Sequence, residues 1–308
     1  MKLQTRNYFL LFITAVIWGS GFVAQALGME HVSPFTFTWA RSIIGGFFLL
    51  AVIPLLDAFT KPGTKQQKSA PRFSPWRGRT IWIGGFWCGT LLFVAESLQQ
   101  FGLVHTTVGK AGFLTSLYVV IVPVLGIFIG RRTSLNVWCA VALAIAGLYF
   151  LCMGEGEFSL SLGDSLVLAC ALAFSFHILV IDRFAPLVDC VRMSCIQFFV
   201  GSAWGFVFML LFEPPAMEQL LAALPAILYA GIMSNGIAYT LQIVAQNGVH
   251  PTIASIILSM ESMVSVFFGW LIMHQNMTLR ELSGCAFMMA AIIIAQLPAS
   301  VFKRKRTK

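Results

Sequence analysis

Charge is what this chain has least of. Only 10% of its 308 residues are charged, and acids are the scarcer sign, 12 against 20 Lys and Arg. Mean hydropathy is +0.84. No soluble domain of this length hides that much apolar surface, so lipid is the expected solvent. The seven cysteines (88, 139, 152, 170, 190, 195, 285) fall mostly inside apolar runs and form no C-x-x-C. They read as small buried hydrophobes, not as a disulfide or zinc framework. No clustered His/Cys pattern offers a metal site. G-x-x-x-x-G-K-[ST] is missing, which excludes an ATPase on this chain, and G-x-S-x-G and H-E-x-x-H are missing too. The net charge of +8 would suggest nucleic acid in a soluble protein. In so apolar a chain it marks cytoplasmic loops instead. No cofactor, no nucleic-acid partner and no enzymatic activity are expected.

What the chain has is long apolar runs. Ten lie near 7–27, 34–57, 80–101, 106–130, 134–153, 163–183, 190–212, 222–246, 250–273 and 278–298. A run of about 20 residues crosses roughly 30 Å of hydrocarbon as a helix. The stretch from Thr107 to Leu151 holds two of them, separated by Arg131-Arg132, and the same unit returns from Ile253 to Leu297. AGFLTSLYVVIVPVLG is answered by ASIILSMESMVSVFFG, with Ala111 on Ala254, Ser116 on Ser259 and Gly126 on Gly269. Further matches extend the duplication. FTWARSII (37–44) falls on MSCIQFFV (193–200), and SLQQFGLVHTTVGKAG (97–112) on TLQIVAQNGVHPTIAS (240–255). Ala24-Gln25-Ala26 has the look of a signal-peptidase site, but TAVIWGSGF (14–22) matches the first run of the second half, Trp18 on Phe174, so the segment is expected to stay.

Five runs per half is an odd number, so the halves are expected to insert with opposite orientation. Lysine and arginine orient the whole. With the N-terminus inside, only Arg41, Lys110 and Arg280 of the 20 Lys and Arg fall outside the cytoplasmic loops and tail. The acids Glu30, Glu155, Glu157, Glu213 and Glu218 fall on the other side. The expected fold is an all-α integral membrane protein. It has ten transmembrane helices in two inverted five-helix repeats and both termini cytoplasmic. The repeats are 1–153 and 154–302, with a basic tail at 303–308. The basic, Pro-rich linker 60–79 interrupts the first repeat and reads as a solvated segment held at anionic headgroups.

This pattern resembles the drug/metabolite transporter superfamily, and specifically its EamA-type repeat. The residues that carry the resemblance are AVIWGSGFVA (15–24), FTWARSIIGG (37–46) and the two copies of the unit above, each with its closing small-residue helix (CAVALAIAG, CAFMMAA). The resemblance implies a multi-pass inner-membrane carrier working by alternating access. Family members move amino acids, other metabolites and drugs, often outward. It carries no signature that would transfer a substrate.

Ionisable groups inside a bilayer are costly, about 2.5–3.5 kcal/mol at mid-helix on insertion scales, and mark pathways. Here they are few. Glu261 sits midway along the ninth run, and its repeat partner is Tyr118. Glu96 lies in the third, and its partner is Tyr239. Glu261 is expected to face a central cavity with Tyr118 across the pseudo-twofold axis, where it could bind a substrate amine or carry a coupling proton. The competing reading ties it to Ser259, Ser262 or Ser265 and makes it a helix lock. Arg41 can pair with Glu96 or Glu30, or take a substrate carboxylate. Lys110 is expected to snorkel. Gln25, Gln99, Gln100, Asn235, Gln242 and Gln246 are polar candidates for ligand or interhelical contact. His177 is either a core histidine or a proton relay. Trp18, Trp39 and Phe174 are candidate cavity walls. Pro123 is a candidate gating hinge in the fourth run. Glycine pairs at 85/89, 126/130 and 201/205 allow close helix approach.

The expected function is secondary active transport of small amino-acid-like or amphipathic metabolites, with export the expected direction. The alternative is an integral-membrane enzyme or a flippase acting on lipid-linked substrates. The expected partners are a small-molecule substrate and membrane lipids, with a homodimer left open.

Overall fold

The computed structural model describes residues 3–59, 76, 78–130, 135–152, 161–213, 216–274 and 278–296. Most of the basic linker, Arg131-Arg132, Glu155, Glu157 and the tail 303–308 lie outside the described residues.

Regular structure among the described residues is entirely helical. The helices are α1 (Leu3–Met29), α2 (Pro34–Phe59), α3 (Arg79–Leu103), α4 (Val108–Phe128), α5 (Leu135–Cys152), α6 (Leu162–Phe184), α7 (Cys190–Phe212), α8 (Leu224–Gln246), α9 (Pro251–Met273) and α10 (Leu279–Gln296). Eight are long and apolar enough to cross a membrane. The other two, α5 and α10, are 18 residues each, and their apolar stretches narrow to Trp138–Gly147 and Leu282–Ala291. A short helix, Met217–Ala222, precedes α8.

The distribution of side chains is that of a lipid-dissolved bundle. Large apolar groups such as Phe47, Trp82, Phe128 and Leu211 point outward, while Gln100, Gln197, Asn235 and Ser255 are fully buried. Hydrocarbon rewards this arrangement, because polar groups find partners only between helices. Local chemistry sets several helix starts. Ser161 and Asp164 form a reciprocal capping box at α6. Asp189 caps α7 and Thr107 caps α4. Pro251 occupies the first turn of α9 behind His250, whose Nδ1 accepts from the Thr252 N–H.

Two of the expected regular helices are interrupted by a tightened turn, in which the backbone stays right-handed and the hydrogen bonds shorten to i→i+3. α4 consists of Val108–Thr115 and Tyr118–Phe128, and α9 of Pro251–Leu258 and Glu261–Met273. The interruptions fall at Ser116-Leu117 and Ser259-Met260, repeat-equivalent positions. Pro123 lies inside the second piece of α4, two turns past the break. The discontinuity is therefore a property of both copies and does not depend on the proline. α8 departs from ideal geometry differently: its middle, Tyr229–Tyr239, is π-helical. Such stretches concentrate at functional positions.

Packing pairs α2 with α7, α5 with α10 and α4 with α9. It also pairs α3 with α6 and α7, and α8 with α1 and α2. The pattern maps onto itself when α1–α5 are exchanged with α6–α10. The two ends of the α2/α7 pair show the same exchange in atomic detail. At one end Arg192 pairs with Asp57, at 2.5 Å, and with Asp189 at 2.8 Å. At the other, the Thr36 N–H donates to the Glu213 carboxylate at 3.0 Å. Thr36 aligns with Arg192 and Asp57 with Glu213 in the duplication, so the same pair of positions is joined twice, once by an ion pair and once by a backbone N–H donating to a carboxylate.

Close helix approach depends on particular glycines. A Cβ at Gly89 would lie 2.7 Å from Val200 Cβ and 3.0 Å from Gln197 Cα, with the Gln197 carbonyl nearer still. A Cβ at Gly201 would come no closer than 3.5 Å to any neighbour, the Gly89 carbonyl. Gly89→Ala should therefore separate α3 from α7 and cost about 1–3 kcal/mol, the usual range for overpacking. Gly201→Ala should be near neutral. Thermal unfolding of the two variants in detergent micelles separates these outcomes, and equal midpoints would refute the assignment. Gly130, which the sequence pairs with Gly126, instead ends α4 at φ +77°, a conformation suited to glycine.

Candidate functional site

A cavity of about 20 Å³ lies at the centre of the bundle. Its wall is half aromatic and aliphatic (Trp18, Phe22, Tyr118, Phe174, Ile178, Tyr239) and half polar (Gln25, Arg41, Gln99, Ser234, Gln242, Glu261). Seven helices contribute: α1, α2, α3, α4, α6, α8 and the second piece of α9 reach it from both halves of the chain, so no single repeat holds the site alone.

Helix periodicity explains which residues arrive. Trp18, Phe22 and Gln25 are spaced i, i+4, i+7 on one face of α1, and Phe174 and Ile178 are spaced i, i+4 on α6. Gly19 lets that face approach α9: a Cβ there would stand 2.6 Å from the Glu261 carbonyl. The two helix breaks lie against each other, with the Ser116 hydroxyl 3.3 Å from the Ser259 carbonyl. Each break is followed within two residues by a site residue, Tyr118 or Glu261.

The Tyr118 hydroxyl donates to the Glu261 carboxylate at 2.9 Å, and both groups are buried. Ser259, Ser262 and Ser265 do not compete for that carboxylate; each hydroxyl donates to a carbonyl of α9 itself. The second carboxylate, Glu96, lies behind the wall. It forms an ion pair with Arg41 at 3.0 Å, with exposures of 1% and 2%. Arg41 also donates to Gln25 Oε1 at 3.1 Å and stacks 5.7 Å above Phe37. Tyr239 adjoins Glu96 and packs on Trp18, ring centroids 4.5 Å apart. Both carboxyl–tyrosine pairings suggested by the duplication thus occur side by side, and only one of them has acquired a guanidinium.

The other candidates separate into three groups. Gln99 lines the cavity and donates to Thr115, and Gln242 lines it with no protein partner for its Oε1. His177 is fully buried just outside the wall, hydrogen-bonded through Nε2 to Gln197 at 3.2 Å and edge-on to Tyr239. Asn235 reaches Ser42 at 3.5 Å, and Trp39 packs on Phe206 and Gly205, so neither lines the cavity. Lys110, expected to snorkel, instead pairs with the buried Asp164 at 2.6 Å. The capping box at α6 holds that carboxylate within reach of the ammonium. Phe22, Ile178 and Ser234 were missed as wall residues; the spacing on α1 and α6 could have found the first two. A second, larger hollow of about 540 Å³ lies on the far face of α1 against α8 and α9, lined mainly by apolar groups such as Val23, Ala24, Leu27, Phe268 and Ile272.

Comparison with known proteins places this architecture. The model of the EamA-like transporter family matches the chain twice, over residues 5–153 and 161–296. An uncharacterized transporter of Archaeoglobus fulgidus is 27% identical over 293 residues, covering 93% of this chain and 84% of the relative. The uncharacterized transporter YoaV of Bacillus subtilis is 22% identical over 286 residues, covering 91% and 92%. One crystal structure superposes with a TM-score of 0.75 at 19% identity, covering 97% of this chain and 99% of that one.

Proposed function

We propose that this chain, which belongs to the EamA-like transporter family, is a secondary carrier that moves small amino-acid-like or amphipathic metabolites by alternating access around the central cavity. We read it as an inner-membrane protein with export the favoured direction. The observation that carries this is the position of Glu261. An acidic side chain, buried and paired with a tyrosine from the opposite half, lies where two broken helices meet. Inverted-repeat carriers place their sites where the two repeats meet, often at helix irregularities.

Ten spans complete the reading. At 18 residues, α5 and α10 are ~27 Å long and pack on each other. The self-exchanging packing and the twofold match to one family model support repeats close to 1–153 and 154–302. At about 20 Å³ the cavity has room for little more than one water molecule, so substrate entry requires it to widen. A flippase for lipid-linked substrates would want a polar groove open to lipid. The larger hollow is mostly apolar and lies across α1 from Glu261, which favours the carrier.

Counterflow in proteoliposomes tests the reading, using a labelled panel of amines, amino acids and aromatic metabolites with and without a pH gradient. Saturable flux accelerated by the gradient is the expected result. Saturable flux indifferent to the gradient would make this a facilitator and Glu261 structural. No flux of any compound would overturn the carrier reading for these metabolites.

A further inference from the structure

We propose that the central cavity selects a protonated amine, or another compact organic cation with an apolar body. Arg41, the side chain most suggestive of a carboxylate anchor, does not serve as one. This rests on the carrier reading and names the substrate class of the same site.

Arg41 and Glu261 line the cavity. The guanidinium is compensated three ways: by the Glu96 carboxylate at 3.0 Å, by Gln25 Oε1 at 3.1 Å and by the Phe37 ring at 5.7 Å. All of this is sealed from solvent. A substrate carboxylate arriving at Arg41 would have to displace Glu96 and leave that carboxylate buried and unpaired, an outcome proteins avoid strongly. Glu261 has no such compensation. Its partner is the neutral Tyr118 hydroxyl, and no basic side chain among the described residues adjoins it. The acid left without a matching cation is therefore Glu261, and an arriving cation is the ligand that would stabilise it as a carboxylate.

Two independent features agree. Trp18, Tyr118, Phe174 and Tyr239 line the same cavity as the carboxylate, and aromatic rings attract cations, ammonium groups among them. Gln242 Oε1 is a buried acceptor on the same wall with no protein partner. It is suited to a second N–H of an ammonium whose first N–H goes to Glu261. Of the wall's donors without a hydrogen-bond partner, Trp18 Nε1 is a single neutral N–H that cannot balance an anion, and Arg41 Nε belongs to the guanidinium whose charge Glu96 already matches.

The test uses the purified full-length protein in nanodiscs and three probes that share a phenyl body: phenethylamine, 3-phenylpropionate and phenethyl alcohol. Equilibrium binding at neutral pH is expected to favour the amine over the other two by about tenfold or more, since a like charge at a buried site costs several kcal/mol. Glu261→Gln should remove that preference. Glu96→Gln, which leaves Arg41 unmatched, should raise carboxylate binding by about tenfold or more. The double variant Arg41→Gln/Glu96→Gln, in which both charges are gone, should not. If Glu96→Gln fails to fold, the double variant and Glu261→Gln decide the matter. Phenylpropionate binding as tightly as phenethylamine overturns the proposal. So does an amine preference that survives Glu261→Gln, or no amine binding at all. Selective amine binding without amine counterflow would overturn the carrier reading and leave the charge selection intact. Counterflow with carboxylate preferred would do the reverse.

Discussion

Glu261→Gln is expected to reduce gradient-driven flux by about 10²-fold or more, the lower range for removing a positioned proton-transfer group, in protein that still inserts and purifies like the wild type. Glutamine keeps the shape of the side chain and can still accept from Tyr118 Oη through its carbonyl. What it loses is the ability to carry charge or a proton. The side chain is 3% exposed, so solvent cannot substitute for it. Tyr118→Phe removes one hydrogen bond and leaves the carboxyl in place, so it should be milder, on the order of 1–3 kcal/mol of altered coupling. Counterflow and gradient-driven uptake measured side by side on the three proteins give the answer. Wild-type flux from Glu261→Gln would reduce Glu261 to a lock between α4 and α9.

Arg41→Met is expected to destabilise the protein by about 3–5 kcal/mol, because it leaves Glu96 buried without its partner. Arg41→Met/Glu96→Leu should recover most of that loss, since a sealed ion pair and an apolar pair of similar volume differ little in net stability. Both side chains are essentially unexposed, so water does not screen the interaction. Denaturant titration in micelles of the two single variants and the double variant yields the coupling between the residues. Additive losses in the double would mean that Arg41 and Glu96 act separately, and the charge matching argued above would fall with them.

Helix breaks mark how far local sequence could reach. Runs 106–130 and 250–273 read as continuous because every residue in them tolerates a membrane helix, and Ser116 and Ser259 differ little from other small residues. The Ser116 hydroxyl bridges the Gly112 carbonyl of its own helix and the Ser259 carbonyl of the other copy, and a sequence window contains only the first of these partners. Pro123 drew attention for the opposite reason: its backbone effect is local and visible, yet the discontinuity lies elsewhere. Lys110 shows the same limit. Snorkelling is the default for an isolated lysine near a helix end, but Asp164 arrives from α6, which is 54 positions away in the chain.

The membrane class, the duplication, the family and the repeat equivalences Glu261/Tyr118 and Glu96/Tyr239 were determined by sequence alone. They follow from hydropathy, which is additive along the chain, and from register within a repeat, which an alignment preserves. Only the tertiary structure decided which polar residues face the cavity, that Glu96 rather than Glu30 neutralises Arg41, and that Glu261 is left without a cation. Those outcomes depend on the rotation of six or more packed helices about their axes. In hydrocarbon that rotation is set by close packing and by the pairing of buried polar groups between helices, neither of which is written in any single run.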